Sequence, residues 1–178
     1  MKPLIFLKAC LLFFFTYAGC QEPAPFKLKE EKAGHLHNPY YSNTDTVTIH
    51  VSDKEWKKIL SPGLYAVARE AATEQAFTGK YWDTNPRGTY YCAVCGNALF
   101  RSNAKFASTC GWPSFFKAIR KNSVIYKEDN TLGMHRTEVI CERCGSHLGH
   151  IFNDGPPPTY KRFCMNSISL EFIADRNL

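Results

Sequence analysis

Near its C-terminus the chain reads Lys161-Arg162-Phe163-Cys164-Met165-Asn166-Ser167, and residues 162–173 carry this stretch on as a run with the pattern of one β-strand. Alternate residues of a strand face the same side. Arg162, Cys164 and Asn166 therefore share a face, followed on it by Ile168, Leu170 and Phe172, while Phe163, Met165, Ser167, Ser169 and Glu171 take the other. A thiol between a cation and an amide, at the polar end of an apolar strand face, is poorly explained by packing alone. The cation favours the thiolate and the amide can hold an oxygen atom nearby. An isolated buried cysteine is ordinarily a small hydrophobe. These neighbours make Cys164 a reactive thiol instead.

Moving outward, short β-like runs divided by Gly, Asn and Pro begin at Thr89: 89–94, 98–101, 123–126, 137–140 and 147–152 precede the 162–173 run. Their spacing predicts antiparallel sheets with hairpin connections, a mainly β domain. Asn153-Asp154-Gly155 is a turn signal, and Pro156-Pro157-Pro158 stiffens the approach to the Cys164 strand. Before the β region, Val47, Ile49 and Val51 alternate with polar residues as a short strand or extended lead-in. Ser52-Asp53-Lys54-Glu55 is a capping box that opens a helix through about Leu60. Ser61-Pro62 starts a second segment whose residues 64–72 are Ala-rich and helical. Both helices read as cover for one side of the β core, without chemistry of their own.

The eight cysteines fall into three groups. Cys92-Ala93-Val94-Cys95-Gly96 and Cys141-Glu142-Arg143-Cys144-Gly145 are two copies of one turn, with glycine where the backbone bends sharply. Two such knuckles offer four soft sulfur ligands to one tetrahedral zinc ion, and four thiolates leave no coordination position open, so the metal is structural. A redox Cys-x-x-Cys or a pair of disulfides is the alternative. Cys110 and Cys164 stand alone. Cys110 opens the loop Cys110-Gly111-Trp112-Pro113-Ser114-Phe115-Phe116, which places a thiol beside aromatic rings suited to sulfur and methyl groups. His147 and His150 follow the second knuckle. Three residues apart, they reach one site only if Gly149 bends the strand. His35, His37 and His135 read as solvated.

Cys10 and Cys20 belong to the N-terminal segment. Residues 1–19 have the basic start and the apolar run of a secretory signal, too short for a comfortable transmembrane helix, and end Tyr17-Ala18-Gly19 before Cys20. This resembles the lipobox of bacterial lipoproteins, which makes Cys20 a lipidated N-terminus and places the protein in the cell envelope facing the periplasm. Tyr17 departs from the usual aliphatic residue, leaving ordinary signal-peptidase cleavage as the alternative. Residues 20–46 are polar and carry Pro23, Pro25 and Pro39, and read as a tether of roughly 25–30 Å before a domain spanning 47–178. Without residues 1–19 the charge is 20 basic against 16 acidic, or +4, with no basic block, which argues against nucleic acid. Nothing calls for an obligate oligomer, so a monomer is expected.

Jointly, three motifs resemble the type B methionine sulfoxide reductases: Cys110-Gly-Trp-Pro-Ser-Phe115, His147-Leu-Gly-His150 with Asp154-Gly-Pro-Pro-Pro158, and Arg162-Phe-Cys-Met-Asn-Ser167. Phe163 and Met165 replace the commoner Tyr and Ile or Val. The two knuckles resemble the zinc-containing form of that family. The resemblance covers residues 51–173 and implies a compact domain of two antiparallel sheets with N-terminal helices. It also implies reduction of the R epimer of methionine sulfoxide in oxidised proteins. Cys164 would then be the nucleophile passing through a sulfenic acid, and Cys110 the resolving cysteine of a Cys110–Cys164 disulfide. His150 would manage the proton, with His147 orienting the polar network. Arg162 and Asn166 would hold polar groups and stabilise the thiolate, and Trp112 would seat the substrate methyl. The reductant would be a thioredoxin-like dithiol, which an exported protein must find outside the cytoplasm. A zinc-ribbon interaction module would leave Cys110, Cys164 and the Trp112 loop unexplained. A general thiol–disulfide oxidoreductase would need the knuckles free of metal.

Overall fold

A computed structural model describes residues 38–175. The expected signal segment, Cys10, the expected lipidation site Cys20, most of the expected tether, and His35 and His37 lie outside the described residues. The N-terminal helices are α1 (Asp53–Ile59) and α2 (Pro62–Glu70). The Ser52 hydroxyl accepts from the Glu55 N–H, and the Ser61 hydroxyl accepts from the Leu64 N–H, satisfying an amide that the first turn leaves free. Pro62 costs nothing there because its missing N–H is one of those free amides. Trp56 on α1 and Val67 and Ala68 on α2 are the faces these helices bury.

The strands are β1 (Gly88–Cys92), β2 (Ala98–Arg101), β3 (Lys105–Phe106), β4 (Ser114–Phe115), β5 (Val124–Asp129), β6 (Arg136–Cys141), β7 (His147–Phe152), β8 (Arg162–Met165) and β9 (Leu170–Ala174). One sheet has the order β2-β1-β9 and the other β3-β4-β8-β7-β6-β5, with every pairing antiparallel. The fold is thus two antiparallel sheets with N-terminal helices. Tyr90 and Phe100 of the first sheet meet Phe115 and Phe163 of the second. Phe100 stacks on Phe115 at 4.4 Å between centroids, and Tyr90 meets Phe115 edge-on at 5.0 Å. Phe100 is fully buried, so its truncation to Ala removes about 3–5 kcal/mol. The second sheet therefore has an inner face, with Phe115, Phe163 and Met165, and an outer face that carries Cys164.

The expected single strand over 162–173 is two strands in different sheets. β8 ends at Met165, and a 3-10 turn at Ser167–Ser169 carries the chain across to β9. The alternation linking Cys164 to Asn166, Ile168 and Leu170 stops at that turn. Its cause is a remote carboxylate. Glu74 accepts from the Ser167 N–H at 2.5 Å and the Ile168 N–H at 3.0 Å, taking amides that a continuous strand would spend on a neighbour. The two-residue strands β3 and β4 are too short to show a period. Residues 47–51 are an extended lead-in rather than a strand, and the Ile49 N–H donates to the Arg143 carbonyl at 2.8 Å.

Residues 38–46, the end of the expected tether, lie on the knuckles. Asn38 is buried and donates to the Val94 carbonyl at 2.7 Å, the Ser42 N–H donates to the Cys95 carbonyl at 3.0 Å, and Asp45 pairs with Arg143 at 2.9 Å. Polar composition hid this contact because its bonds run to backbone groups of a distant loop. Among the described residues no helix is long and apolar enough to cross a membrane.

Candidate active site

The register places one row of residues across the second sheet. Phe106 opposes Ser114, Ser114 opposes Cys164, Cys164 opposes His150, His150 opposes Glu138, and Glu138 opposes Lys127. Directly opposed residues project from the same face. Cys164, His150, Ser114 and Glu138 thus meet on the outer face, away from the aromatic core. Arg162 and Phe152 form the next opposed pair on that face, and the guanidinium lies 4.4 Å from the Phe152 ring centroid. Asp154, in the turn after β7, accepts from Arg162 through two bonds of 2.9 and 2.8 Å, which holds its own pKa below the usual carboxylate range.

The Cys110 and Cys164 sulfurs are 3.5 Å apart and both are partly exposed. Around Cys110, the Ser108 hydroxyl lies 3.1 Å from its sulfur, and the Ser114 hydroxyl lies 3.5 Å away. The hydrogen bond from Cys164, helped by both serines and opposed by burial, brings Cys110 down to about 4. Cys164 is pushed up, first by its bond to Cys110, then by burial and by the charge of Cys110; Arg162 pulls the other way. The bond between the two sulfurs thus favours the charged form at Cys110 and the protonated form at Cys164. The cation expected to favour the Cys164 thiolate does act on it, but the Cys110 bond, burial and the Cys110 charge outweigh it.

Gly149 brings both histidines to one site. Its φ is +155°, and an added Cβ would lie 2.1 Å from the Cys164 carbonyl oxygen, so only glycine fits between β7 and β8. The register slips between Val139 and Ile140 opposite it. The His147 and His150 rings end up 5.4 Å apart. Each is held by a carboxylate, but through different nitrogens. His147 Nδ1 lies 2.6 Å from Glu138, and His150 Nε2 lies 2.7 Å from Asp129. Neutral rings in these bonds present Nε2 of His147 and Nδ1 of His150 as acceptors. The His147 Nε2 atom is buried without a partner. Burial lowers the His150 pKa, with Asp129 raising it and Arg136 and His147 lowering it. Asp129 also accepts from Thr131 and Arg136, and these bonds hold its pKa well below the usual range.

Trp112 donates its indole N–H to the Glu74 carbonyl at 3.2 Å. Asn166 is buried at the start of the 3-10 turn, donating to the Leu148 carbonyl at 3.2 Å and accepting from the Glu74 N–H at 3.0 Å. Both ends of its amide are thus taken by backbone groups, and the shared strand face expected with Cys164 ends at the turn. His135 is exposed and bonded to Asn130. Glu74, Asp129, Glu138 and Ser108 carry no motif signal. They come from remote segments or from charged runs that read as solvated.

Where β6 ends and β7 begins, the sulfurs of Cys92, Cys95, Cys141 and Cys144 lie within 4.8 Å of one another, and all four residues are buried. Gly96 and Gly145, at φ +79° and +68°, close the two turns through N–H bonds to the Cys92 and Cys141 carbonyls. Arg143 of one knuckle donates to the Cys95 carbonyl of the other. Burial, and then the neighbouring thiols, push the Cys92 thiol well up. The cluster can hold a metal ion.

Cys164 on the outer face of one sheet and Cys110 of the adjoining loop thus form a close thiol pair near two carboxylate-held histidines, apart from the four-cysteine cluster, an arrangement suited to thiol-dependent redox chemistry. The SelR domain model matches residues 60–174. The chain is 54% identical over 121 residues to the peptide methionine sulfoxide reductase MsrB of Thiobacillus denitrificans, covering 68% of this chain and 92% of that one. It is 53% identical over 133 residues to MsrB of Herminiimonas arsenicoxydans (75% and 97%), and 50% identical over 123 residues to MsrB of Acinetobacter baumannii (69% and 88%). The chain belongs to the MsrB family of peptide methionine sulfoxide reductases.

Proposed function

We propose that the protein reduces the R epimer of methionine sulfoxide within polypeptides. The observation that carries this reading is the 3.5 Å separation of Cys110 and Cys164 on a face that also bears His150 and Arg162. The Cys164 proton moves to Cys110 or to the sulfoxide oxygen, and the Cys164 sulfur attacks the sulfoxide sulfur. Methionine departs, and the oxygen remains on Cys164 as a sulfenic acid. Cys110 then attacks the Cys164 sulfur, water leaves, and the disulfide forms. Closing the sulfurs from 3.5 Å to bonding distance needs a movement of about 1.5 Å. Two thiols are oxidised and one sulfoxide is reduced, so the electrons balance. An external dithiol of the thioredoxin type restores the pair by exchange.

His150 supplies a proton to the oxygen only as the imidazolium, because its neutral N–H is directed at Asp129. Trp112 seats the substrate methyl, and Arg162 draws negative charge toward Cys164 as attack begins. The metal in the four-cysteine cluster is zinc in a structural role. Tetrahedral Zn–S bonds place sulfurs about 3.8 Å apart, and the Cys92–Cys144 and Cys95–Cys141 sulfurs are 3.7 and 3.6 Å apart. The N-terminal pattern up to Cys20 supports an exported, lipid-anchored protein that repairs oxidised envelope proteins, with its reductant on the same side of the membrane.

The test is incubation of the reduced intact protein with each epimer of a blocked methionine sulfoxide and dithiothreitol. The reading expects consumption of the R epimer alone and none with Cys164→Ser. Consumption of neither epimer by folded, zinc-loaded protein would overturn it.

A further inference from the structure

We infer that Glu74 is a positioning residue for the sulfoxide site; this rests on the reading above and extends it to a residue outside every motif. Glu74 lies between α2 and β1, on the strap 71–82 that crosses the Cys110 loop. Its side chain and its backbone do different things. The carboxylate takes the Ser167 and Ile168 N–H groups, at 2.5 and 3.0 Å, directly after the strand that carries Cys164. The backbone N–H of the same residue donates to Asn166 at 3.0 Å, and its carbonyl accepts the Trp112 indole N–H at 3.2 Å. Residue 74 therefore joins the nucleophile strand to the indole loop, two segments that are distant in sequence.

The surrounding geometry leaves the strap little freedom. A Cβ on Gly79 would sit 2.3 Å from the Ser167 hydroxyl oxygen and 2.6 Å from a Glu74 carboxylate oxygen. The Tyr81 N–H donates to the Ser167 hydroxyl at 3.3 Å, and the Phe77 N–H donates to the Gly111 carbonyl at 2.8 Å. The strap is tied on one side to the 3-10 turn and on the other to the loop between Cys110 and Trp112. The carboxylate is mostly buried, and burial raises its pKa despite two amide bonds. A buried carboxylate spent on two backbone amides is an anchor. Removing it leaves the backbone groups of residue 74 in place but no longer fixed against β8. The indole then loses its set position relative to the Cys164 sulfur, while the thiol pair, which Glu74 does not touch, keeps its own contacts.

The experiment compares intact wild type, Glu74→Ala and Glu74→Gln in three measurements: steady-state kinetics on each epimer, alkylation rate of the reduced thiol pair by iodoacetamide, and zinc content. We expect Glu74→Ala to raise KM for the R epimer about tenfold, with alkylation rate and zinc content within twofold of wild type. Glu74→Gln keeps the shape and one acceptor, and should show a smaller rise. If Glu74→Ala does not fold, Glu74→Gln carries the test with a threefold rise as its threshold. KM unchanged in the folded variants overturns the inference, as does a parallel loss of zinc and alkylation rate, which would make Glu74 merely structural. Failure of wild type to reduce either epimer is a different result, and it removes the underlying reading instead.

Discussion

The six cysteines of the described domain form two constellations that share an element type and differ in almost everything else. The four-cysteine cluster is fully enclosed, built from duplicated turns, and closed by glycines at positive φ and by Arg143. Its sulfurs face one another. The Cys110–Cys164 pair is partly exposed, asymmetric, and flanked by serine hydroxyls on one side and a guanidinium on the other. Burial and the neighbouring thiols push the Cys92 thiol up, whereas unequal hydrogen bonding splits the pair. Symmetry and enclosure make a cation site. Asymmetry and access make a reactive one.

Mutation should break this contrast most visibly. Cys92→Ser or Cys141→Ser should release the metal and lower Tm by more than about 10 °C, because binding energy at a structural metal is folding energy. Cys164→Ser should leave Tm within about 2 °C and abolish turnover. Calorimetry and the epimer assay together decide this, and the reverse pattern would dissolve the distinction. Next in size is stoichiometry. Cys110→Ser should yield about one methionine per protein without reductant, then stop at the sulfenic acid, read by mass spectrometry. More than one turnover would remove Cys110 from the cycle.

Thiol titration sharpens the comparison further. With its pKa at about 4, Cys110 should alkylate at nearly constant rate from pH 8 down to pH 5. Cys164→Ala removes the largest cause of that shift, so the Cys110 profile should move to higher pH, while the cluster sulfurs stay unreactive until a chelator is added. A smaller effect is expected at His150. Its donor form exists only below a pKa depressed from the ordinary 6.5, so kcat should rise as pH falls from 8 toward 6. Asp129 raises that pKa, and Arg136 and His147 lower it. Asp129→Asn should therefore move the profile to lower pH and slow turnover about tenfold at pH 7. An unshifted profile would take the proton role from His150.

How much of this was readable beforehand followed from how local each feature is. The knuckles, the Cys110 loop and the Arg162-Phe-Cys stretch are runs of adjacent residues, and their chemistry is visible in a line of text. The Gly149 bend was conditional on paper and became definite only through the β7–β8 contact. What stayed hidden depends on long-range partners. Glu74 ends β8 from 93 residues away, Asp129 reaches His150 across 21, and Arg143 reaches the other knuckle across 48. Ser167 and Ser169 sit where a solvent-facing strand residue would sit, so the pattern of residues 162–173 carried no sign of the turn. The helices read as plain cover, yet Arg69 of α2 donates to the Cys144 carbonyl at 3.1 Å, because a helix face records burial but not which carbonyl it meets.

The most direct test of this division is cysteine mapping by mass spectrometry after the fully reduced, metal-loaded protein has consumed one equivalent of the R epimer without reductant. The account predicts a Cys110–Cys164 disulfide, one equivalent of methionine, and Cys92, Cys95, Cys141 and Cys144 still unoxidised with the metal retained. A disulfide within or between the knuckles, or release of the metal during that single turnover, would contradict it.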